Sequence, residues 1–371
     1  MIVGVPQEVK TDEYRVALTA AGAEVLVGHD HEVLIESNAG AESGFHDADY
    51  TEAGGHIVDT AAELYSRSDM VLKVKEPTPA EYGLLKPDQV VFTYFHLASS
   101  LELTQAIVHS KCIAIAYETI ETDDGLLPLL IPMSEVAGRM SVQQGAKYLE
   151  REHGGRGILL GGVPGVGPAL VMILGGGAVG RNAARVAAGL GARVCLLDVD
   201  LKALRHLDDI MPPNVVTMMS NPRNIRRVLK EADLVISSVL IHGAKAPKLI
   251  TRDMLSLMKK GAVVVDVAID QGGSLETSHP TTHEDPIYEV DGIVHYCVAN
   301  MPGAMPVTST IALTNATFPY ALEIADKGFE RAIADNPAIQ RGANVLRGQI
   351  TYRNVAEAFD LPYTPVEEAM G

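Results

Sequence analysis

The stretch VMILGGGAVGRNAARVAAGLGARVCLLD, residues 171–198, decides the fold of this chain. An apolar strand runs into Gly175, Gly177 and Gly180, a stretch with helical spacing follows, and a second apolar strand ends at Asp198. In a dinucleotide-binding βαβ unit, the first glycine permits the tight turn and the second lets the backbone approach a pyrophosphate. The third allows the helix to pack closely on the strand. The stretch therefore predicts a Rossmann-like domain.

Asp198 predicts which dinucleotide binds. A carboxylate at the end of the second strand can accept hydrogen bonds from a ribose diol, and it would repel the 2′-phosphate of NADP. The pyrophosphate would meet the amides and the positive dipole at the start of the helix. We therefore expect NAD as the cofactor.

Composition narrows the class of protein. The chain has 371 residues, of which 47% are hydrophobic, and this length favours two or three domains. Its net charge is −17 and no basic run is present, so we expect no nucleic-acid partner. Cys112, Cys195 and Cys297 lie in apolar runs without a CxxC spacing, which favours reduced thiols and a cytoplasmic location. No group of residues has the spacing of a metal site.

Residues 158–180 carry no charge and are long enough to span a bilayer. They contain eight glycines and two prolines, however, which divide them into a loop, a strand and a turn. The amino terminus begins with the strand-like MIVGVP and has no basic signal region. We therefore expect no membrane segment.

Short apolar runs alternate with helical stretches, which is typical of parallel sheets built from βαβ units. The predicted fold class is α/β, with two doubly wound parallel-sheet (Rossmann-like) domains joined by long helices. The predicted strands are residues 2–6, 33–36, 70–74, 90–94 and 112–117, then 171–174, 193–197, 215–219, 234–238, 263–267 and 293–297.

Two helices mark the predicted domain boundaries. SEVAGRMSVQQGAKYLEREHGG reads as one helix with Ser134 as its N-cap and a stop at residues 154–155. A second helix begins near VTSTIALTNATF. We therefore predict a discontinuous substrate and catalytic domain, 1–133 plus 306–371, and an NAD-binding domain, 134–305.

Ligands of doubly wound sheets bind beyond the carboxyl ends of the strands. Seven polar residues follow predicted strands: Glu8, Arg15, Lys75, His96, Glu118, Asp270 and Asn300. This set suits a small carboxylic acid. Arg15 can hold a carboxylate with two hydrogen bonds, Lys75 can polarise a carbonyl oxygen, and His96 can move a proton near neutral pH. Asp270 could direct that proton or hold an amine.

Each of these assignments has an alternative. Lys73 lies two residues before Lys75 and competes with it for the substrate role. A histidine after an apolar strand is often structural, which is the alternative for His96. Asp266 lies inside a predicted strand and Asp270 just after it, so we interpret Asp266 as structural and prefer Asp270 for chemistry.

Five segments extend these signals over the whole chain: MIVGVPQEVKTDEYRVALT, LKVKEP, YFHLA, VDVAIDQGG and HYCVANMPGAMPVTSTIALTN. In their order and separation they resemble the signature segments of the alanine dehydrogenase family. The resemblance implies reversible oxidative deamination of L-alanine to pyruvate and ammonium, with NAD taking the hydride, as a step of amino-acid catabolism. It also implies a homohexamer of two-domain subunits that close on the cofactor.

The resemblance assigns roles to individual residues. Arg15 and Lys75 would hold the substrate, and His96 and Asp270 would be the acid/base pair. On the cofactor side it implicates Ser134, Ala178, Val179, Asp198, Ser220, Val239, Leu240, Val267, Ala268, Ile269, Asp270, Val298, Ala299, Asn300 and Met301.

The chain departs from the family pattern at two places. Ala203, beside Lys202, stands where the family often has a basic residue that contacts the adenosine, and Val307 stands where it commonly has Lys or Arg. Two rival functions use the same fold: the NAD-binding subunit of a proton-translocating transhydrogenase, and another amino- or keto-acid dehydrogenase such as one that makes saccharopine. A docking subunit has no need of His96, and the signature segments argue against another dehydrogenase.

Overall fold

The computed structural model describes residues 1–239 and 246–371. The chain forms two compact units. The first unit consists of Met1–Met133 and Gly303–Gly371, and the second consists of Ser134–Pro302. The first unit is thus discontinuous, and the chain returns to it at residue 303.

The amino-terminal part of the first unit alternates strands and helices. These elements are β1 (Ile2–Val5), α1 (Ala20–Gly28), β2 (Glu32–Glu36), α2 (Asp47–Glu52), β3 (His56–Val58), α3 (Ala61–Arg67), β4 (Met70–Leu72), β5 (Val90–Thr93), α4 (Leu101–Ser110), β6 (Ile113–Ala116) and α5 (Ile131–Tyr148).

The second unit follows without a break. Its elements are β7 (Leu170–Leu174), α6 (Ala178–Gly189), β8 (Arg193–Asp198), α7 (Leu201–Ile210), β9 (Val215–Met219), α8 (Pro222–Leu229), β10 (Leu234–Ser237), α9 (Arg252–Leu255), β11 (Val263–Asp266), β12 (Ile287–Val290) and β13 (Ile293–Tyr296). The carboxyl-terminal segment then completes the first unit with α10 (Pro306–Lys327), α11 (Phe329–Asp335), α12 (Pro337–Gly342), β14 (Ala343–Leu346), β15 (Gln349–Ile350), α13 (Arg353–Ala358) and α14 (Val366–Met370).

Both sheets are parallel in their interior and antiparallel at one edge. The first has the strand order β15-β14-β6-β5-β4-β1-β2-β3, in which β14 runs antiparallel to β6 and to β15. The second has the order β12-β13-β11-β10-β7-β8-β9, in which β12 is antiparallel. The predicted α/β class with two doubly wound domains is confirmed, and the antiparallel edges are an addition that the apolar pattern did not predict.

The first sheet is covered on both faces. In β2, Val33 and Ile35 belong to one apolar cluster, with α1 and α10, while Leu34 belongs to the cluster on the opposite face. Burial on both faces explains why the strands read as continuous apolar runs rather than as alternating ones.

The helix predicted from Ser134 begins earlier and ends earlier. Helix α5 runs from Ile131 to Tyr148, so Ser134 is its fourth residue and the prediction that it is an N-cap is wrong. Pro132 stands in the first turn, where a missing N–H costs no helical hydrogen bond. After Tyr148 the chain continues as a separate 3-10 helix, Arg151–His153, that ends at Gly154.

Among residues 1–239 and 246–371, no helix is both long enough and apolar enough to cross a membrane. Residues 158–180 form a loop, strand β7 and the turn before α6.

Candidate active site

Arg15 lies in the loop between β1 and α1 and is 2% exposed. Its Nε donates to Glu13 Oε1 at 2.6 Å, one terminal nitrogen donates to Glu13 Oε2 at 2.5 Å, and the other contacts Met133 Sδ at 2.8 Å. Burial opposes the charge of Arg15, but the hydrogen bonds and charge of Glu13 outweigh it and raise the pKa of the guanidinium. One edge of the guanidinium is therefore held by Glu13.

Lys73 and Lys75 occupy different environments. The Lys73 side chain is fully buried, with its ammonium 2.8 Å from Glu81 Oε1 and 3.3 Å from Glu8 Oε2. Tyr65 donates a hydrogen bond to the same Glu81 oxygen at 3.0 Å. Lys73 is thus the centre of a buried ion-pair network and has no path to a ligand.

Lys75 is only partly buried, and its ammonium forms no hydrogen bond or ion pair within the part of the chain that the structure describes. Burial and then the nearby charge of Arg15 lower the pKa of Lys75. Glu8 fixes the backbone at this point, because its Oε1 accepts the N–H of Val74 at 2.6 Å and that of Lys75 at 3.4 Å. Lys75 therefore lies near Arg15, in an environment that differs from the buried ion pairs of Lys73.

His96 follows β5 and is exposed, with 46% of its side chain accessible. Its backbone is left-handed, with φ of 52°, which non-glycine residues rarely adopt. The ring stacks parallel to that of Tyr94, with centroids 5.9 Å apart. Nδ1 lies 4.0 Å from Glu118 Oε1. Among the described residues, the imidazole makes no hydrogen bond of its own, so the ring is available to a ligand.

The glycine turn has the geometry that the motif predicts. Gly175 has φ of 97°, a conformation that favours glycine. A Cβ on Gly180 would lie 1.8 Å from the carbonyl oxygen of Gly175, so only glycine lets α6 pack there. A Cβ on Gly177 would meet nothing within 4 Å, and Gly177 leads into α6 without a side-chain cap. The turn is therefore a cradle of uncapped amides that fits a pyrophosphate.

Asp198 ends β8 beside that cradle. Its Oδ2 accepts the N–H of Gly176 at 2.5 Å, and its Oδ1 accepts the N–H of Asp200 at 2.8 Å. The carboxylate therefore holds the glycine turn as well as facing the position expected for the ribose. The motif alone does not indicate that Asp198 also holds the glycine turn.

Asp266 is the N-cap of a short 3-10 helix, Val267–Gln271, and Asp270 is the fourth residue of that helix. Asp266 is fully buried and accepts hydrogen bonds from Ala268 N at 3.1 Å, Ser274 N at 2.8 Å and Ser278 Oγ at 2.6 Å. These bonds satisfy the carboxylate, which is what a structural role requires. Asp270 is exposed. The preference for Asp270 as the residue that acts on a ligand stays a prediction.

Most of the other residues expected to bind the cofactor lie at the carboxyl-terminal end of the second sheet. They follow the carboxyl ends of its parallel strands: Ala178 and Val179 after β7, Ser220 after β9, Val239 after β10, Val267, Ala268 and Ile269 after β11, and Val298, Ala299, Asn300 and Met301 after β13. Ser134 lies in α5, and Leu240 lies outside the described residues. Asn300, like His96, has a left-handed backbone, with φ of 52°.

Sequence reasoning missed three residues that contact the predicted site residues: Glu13 and Met133, which contact Arg15, and Tyr94, whose ring stacks on His96. Glu13 lies two residues before Arg15, and that spacing was the available signal for an ion pair. Met133 is distant in sequence, so only the fold brings it to Arg15.

Comparison with known proteins identifies relatives for both units. The family model described as "Alanine dehydrogenase/PNT, N-terminal domain" matches residues 4–137, and "Alanine dehydrogenase/PNT, C-terminal domain" matches residues 141–353. An alanine dehydrogenase of Methanococcus maripaludis is 54% identical over 371 residues, which cover 100% of both chains.

Solved structures agree in fold. An L-alanine dehydrogenase superposes with a TM-score of 0.95 at 48% identity, covering 97% of this chain and 99% of that one. A transhydrogenase from Sinorhizobium meliloti superposes with a TM-score of 0.81 at 23% identity, covering 95% of this chain and 99% of that one. The second likeness concerns the fold alone.

Proposed function

The chain belongs to the alanine dehydrogenase/PNT family and catalyses the reversible NAD-dependent oxidative deamination of L-alanine, and we propose which of its residues perform each step. Arg15 and Lys75 hold the substrate, and His96 and Asp270 move its protons. The observation that carries this assignment is that the first unit holds an exposed imidazole, His96, and two neighbouring cations, the buried Arg15 and the partly buried Lys75.

The second unit supplies the cofactor site. The amides at Gly177 and the start of α6 would receive the pyrophosphate, and Asp198 would receive the ribose diol. NAD held by these residues would supply the hydride acceptor for the alanine Cα. The open space at Gly177 supports this fit.

The substrate site would recognise the two ends of alanine or pyruvate separately. The Arg15 guanidinium binds the carboxylate. Lys75 adds positive charge beside it and polarises the carbonyl oxygen of pyruvate. Because the pKa of Lys75 is lowered, its ammonium loses a proton at a lower pH than the ammonium of an exposed lysine.

Proton transfer is the task of His96 and Asp270. Hydride can leave the alanine carbon only when the amine is neutral, which yields an iminium. Water then adds to the iminium carbon and ammonia leaves, so a proton must be taken from water and given to nitrogen. His96 can take both roles in turn because an imidazole titrates near neutral pH. Asp270 directs the proton transfer and stabilises the cationic nitrogen.

Steady-state kinetics of the protein with NAD and L-alanine tests this assignment. We expect His96→Ala and Asp270→Asn each to lower kcat by orders of magnitude while NADH still binds. The double variant should be little worse than either single one, because groups that act as a unit are not additive. His109→Ala, which removes an exposed histidine from α4, is the control. Near-normal turnover in folded His96→Ala would refute the mechanism, and fully additive losses would assign the two residues to separate steps.

The chain would also assemble and act as its family resemblance implies. We propose a homohexamer in the cytoplasm. Sedimentation equilibrium of the purified protein would contradict the hexamer if its mass were that of one chain or of a dimer.

A further inference from the structure

The backbone of His96 needs an external support. A histidine in the left-handed region costs about 1 kcal/mol or more, and such a conformation persists only where its surroundings enforce it. The Glu118 carboxylate does so here. Its Oε1 accepts the N–H of His96 at 2.6 Å, and its two oxygens each lie 3.2 Å from the N–H of Phe95.

The sheet places Glu118 beside His96. Strands β5 and β6 are parallel neighbours, with Thr93 opposite Ala116, so the residues that follow them emerge side by side. Glu118 is 16% exposed, whereas His96 is 46% exposed. A half-buried carboxylate thus lies behind a histidine that faces outward.

The same carboxylate lies near the ring. Its Oε1 is 4.0 Å from Nδ1, which is close enough for charge attraction but too long for a hydrogen bond. Two other titratable groups interact with Glu118, the phenols of Tyr94 and Tyr352. Burial raises the pKa of both phenols above the ordinary value of 10, so both are neutral in the range where a histidine titrates.

We propose that Glu118 is the positioning residue of His96: it locks the left-handed backbone that aims the ring, and it is the fixed counter-ion of the imidazolium. This inference rests on the proposed role of His96 as the acid/base. A ring that alternates between neutral and charged forms needs a partner that stabilises the charged form. A ring rotation that shortens the 4.0 Å separation by about 1 Å would let Nδ1–H donate to Oε1. The second ring nitrogen then faces the substrate.

Glu118→Gln tests the charge with little change of shape. The amide oxygen still accepts a backbone N–H, but the negative charge is gone, so the attraction that favours the imidazolium over the neutral ring is lost. The pH limb that reports His96 should therefore move to lower pH in alanine oxidation and in pyruvate reduction alike. Glu121→Gln, which removes an exposed carboxylate three residues further along, is the matched control and should leave both profiles in place.

Glu118→Ala tests the backbone lock. It removes the charge and both acceptors, so kcat should fall further than in Glu118→Gln, while the Kd of NADH stays within twofold of the parent value. A residue that only stabilises the fold would lower the melting temperature without moving the pH limb. Unchanged pH profiles in folded Glu118→Gln would overturn the proposal.

Direct titration separates this inference from the proposed function. The pKa of His96 is measured by NMR of the protein labelled at histidine, with His96→Gln to assign the signal, in the parent and in Glu118→Gln. A fall in that pKa supports the counter-ion role even if His96→Ala proves active, which would refute only the catalytic role. If Glu118→Gln does not fold, the same titration of Glu118→Asp decides. The aspartate keeps the negative charge but, being one methylene shorter, holds it further from the His96 ring. An unaltered His96 pKa in that variant overturns the proposal.

Discussion

Lys73 and Lys75 are separated by one residue and lie in different environments. Strand β4 and the residues after it turn the first inward, between Glu8 and Glu81, and leave the second at the edge of the site. Sequence spacing could not distinguish them, because KVK reads equally well in either register. Burial of Lys73 in its ion pairs favours Lys75 for the predicted substrate role.

Lys73→Met should destabilise the protein by about 3–5 kcal/mol, because it leaves two buried carboxylates without a cation. Lys75→Met should change the free energy of unfolding little and raise the KM for pyruvate by about tenfold or more, since a hydrogen bond to a charged group is lost. Urea unfolding and steady-state kinetics of both variants measure these effects. The reverse pattern would exchange the assignments of the two lysines.

Arg15→Gln should raise the KM for alanine and pyruvate and leave NADH affinity nearly unchanged. Because Glu13 loses its partner, we also expect a lower melting temperature than for Lys75→Met. Collapse of NADH binding in a folded Arg15→Gln protein would place Arg15 in the cofactor site instead.

Asp198→Ser should shift the kcat/KM ratio of NAD to NADP by about tenfold toward NADP, because a charged acceptor is lost and the repulsion of a 2′-phosphate is removed. The KM for NAD should rise as well, since Gly176 N–H loses its acceptor. Asp200→Asn is the control: it removes a neighbouring charge but keeps the oxygen that caps α7. Equal use of both cofactors by the parent protein would already contradict the assignment.

At the scale of elements, apolar runs predicted the interior parallel strands and the edge strand β9, and they missed β3, β12, β14 and β15. Strands β3, β12 and β15 are partly exposed and β14 contains Asn344, so none of the four reads as a continuous apolar run. Their pairing is decided by the strand beside them. The error at α5 has a similar origin. Ser134 has the chemistry of a cap, but Pro132 already stands in the first turn of the helix.

The second and third glycines of the motif, Gly177 and Gly180, should respond differently to a methyl group. Gly180→Ala should cost about 2 kcal/mol or more in stability, because its Cβ overlaps the Gly175 carbonyl oxygen. Gly177→Ala should leave the unfolding free energy within about 0.5 kcal/mol and weaken NADH binding by more than an order of magnitude. Chemical denaturation and fluorescence titration of NADH provide the two readouts. Normal NADH affinity in Gly177→Ala would show that the pyrophosphate does not approach there.

At the scale of the whole molecule, the two units should lose stability at different pH. In the second unit, burial lowers the pKa of His295 from 6.5. Its Nδ1 donates to Ile293 O at 3.0 Å and its Nε2 accepts from Thr277 at 2.9 Å, so the ring is held neutral. Unfolded His295 binds a proton more readily than the folded residue, so this stability is present above about pH 6.5 and is lost as pH falls.

In the first unit, Glu13 and Glu81 control the acid response. Burial opposes their charge, but Arg15 and Lys73 outweigh it and lower both pKa values below 4.5. Their contribution is present above that value and lost only as pH falls below it. Hydrogen exchange should therefore report opening of β11 and β13 at a higher pH than opening of β1 and β4. His295→Gln should reduce that difference, and simultaneous opening in the parent would contradict the prediction.

The discontinuity of the first unit has a consequence for synthesis on the ribosome. Strand β6 pairs with β14, so the edge of the first sheet is uncovered until residues 303–371 have been translated. The second unit is contiguous and complete once residue 302 has emerged, so it can finish folding while the earlier-made unit still waits. Nascent chains normally fold from the amino terminus onward, and an uncovered strand edge invites pairing with other chains. The order of folding is thus inverted here, and the amino-terminal half is the part that a chaperone would have to protect.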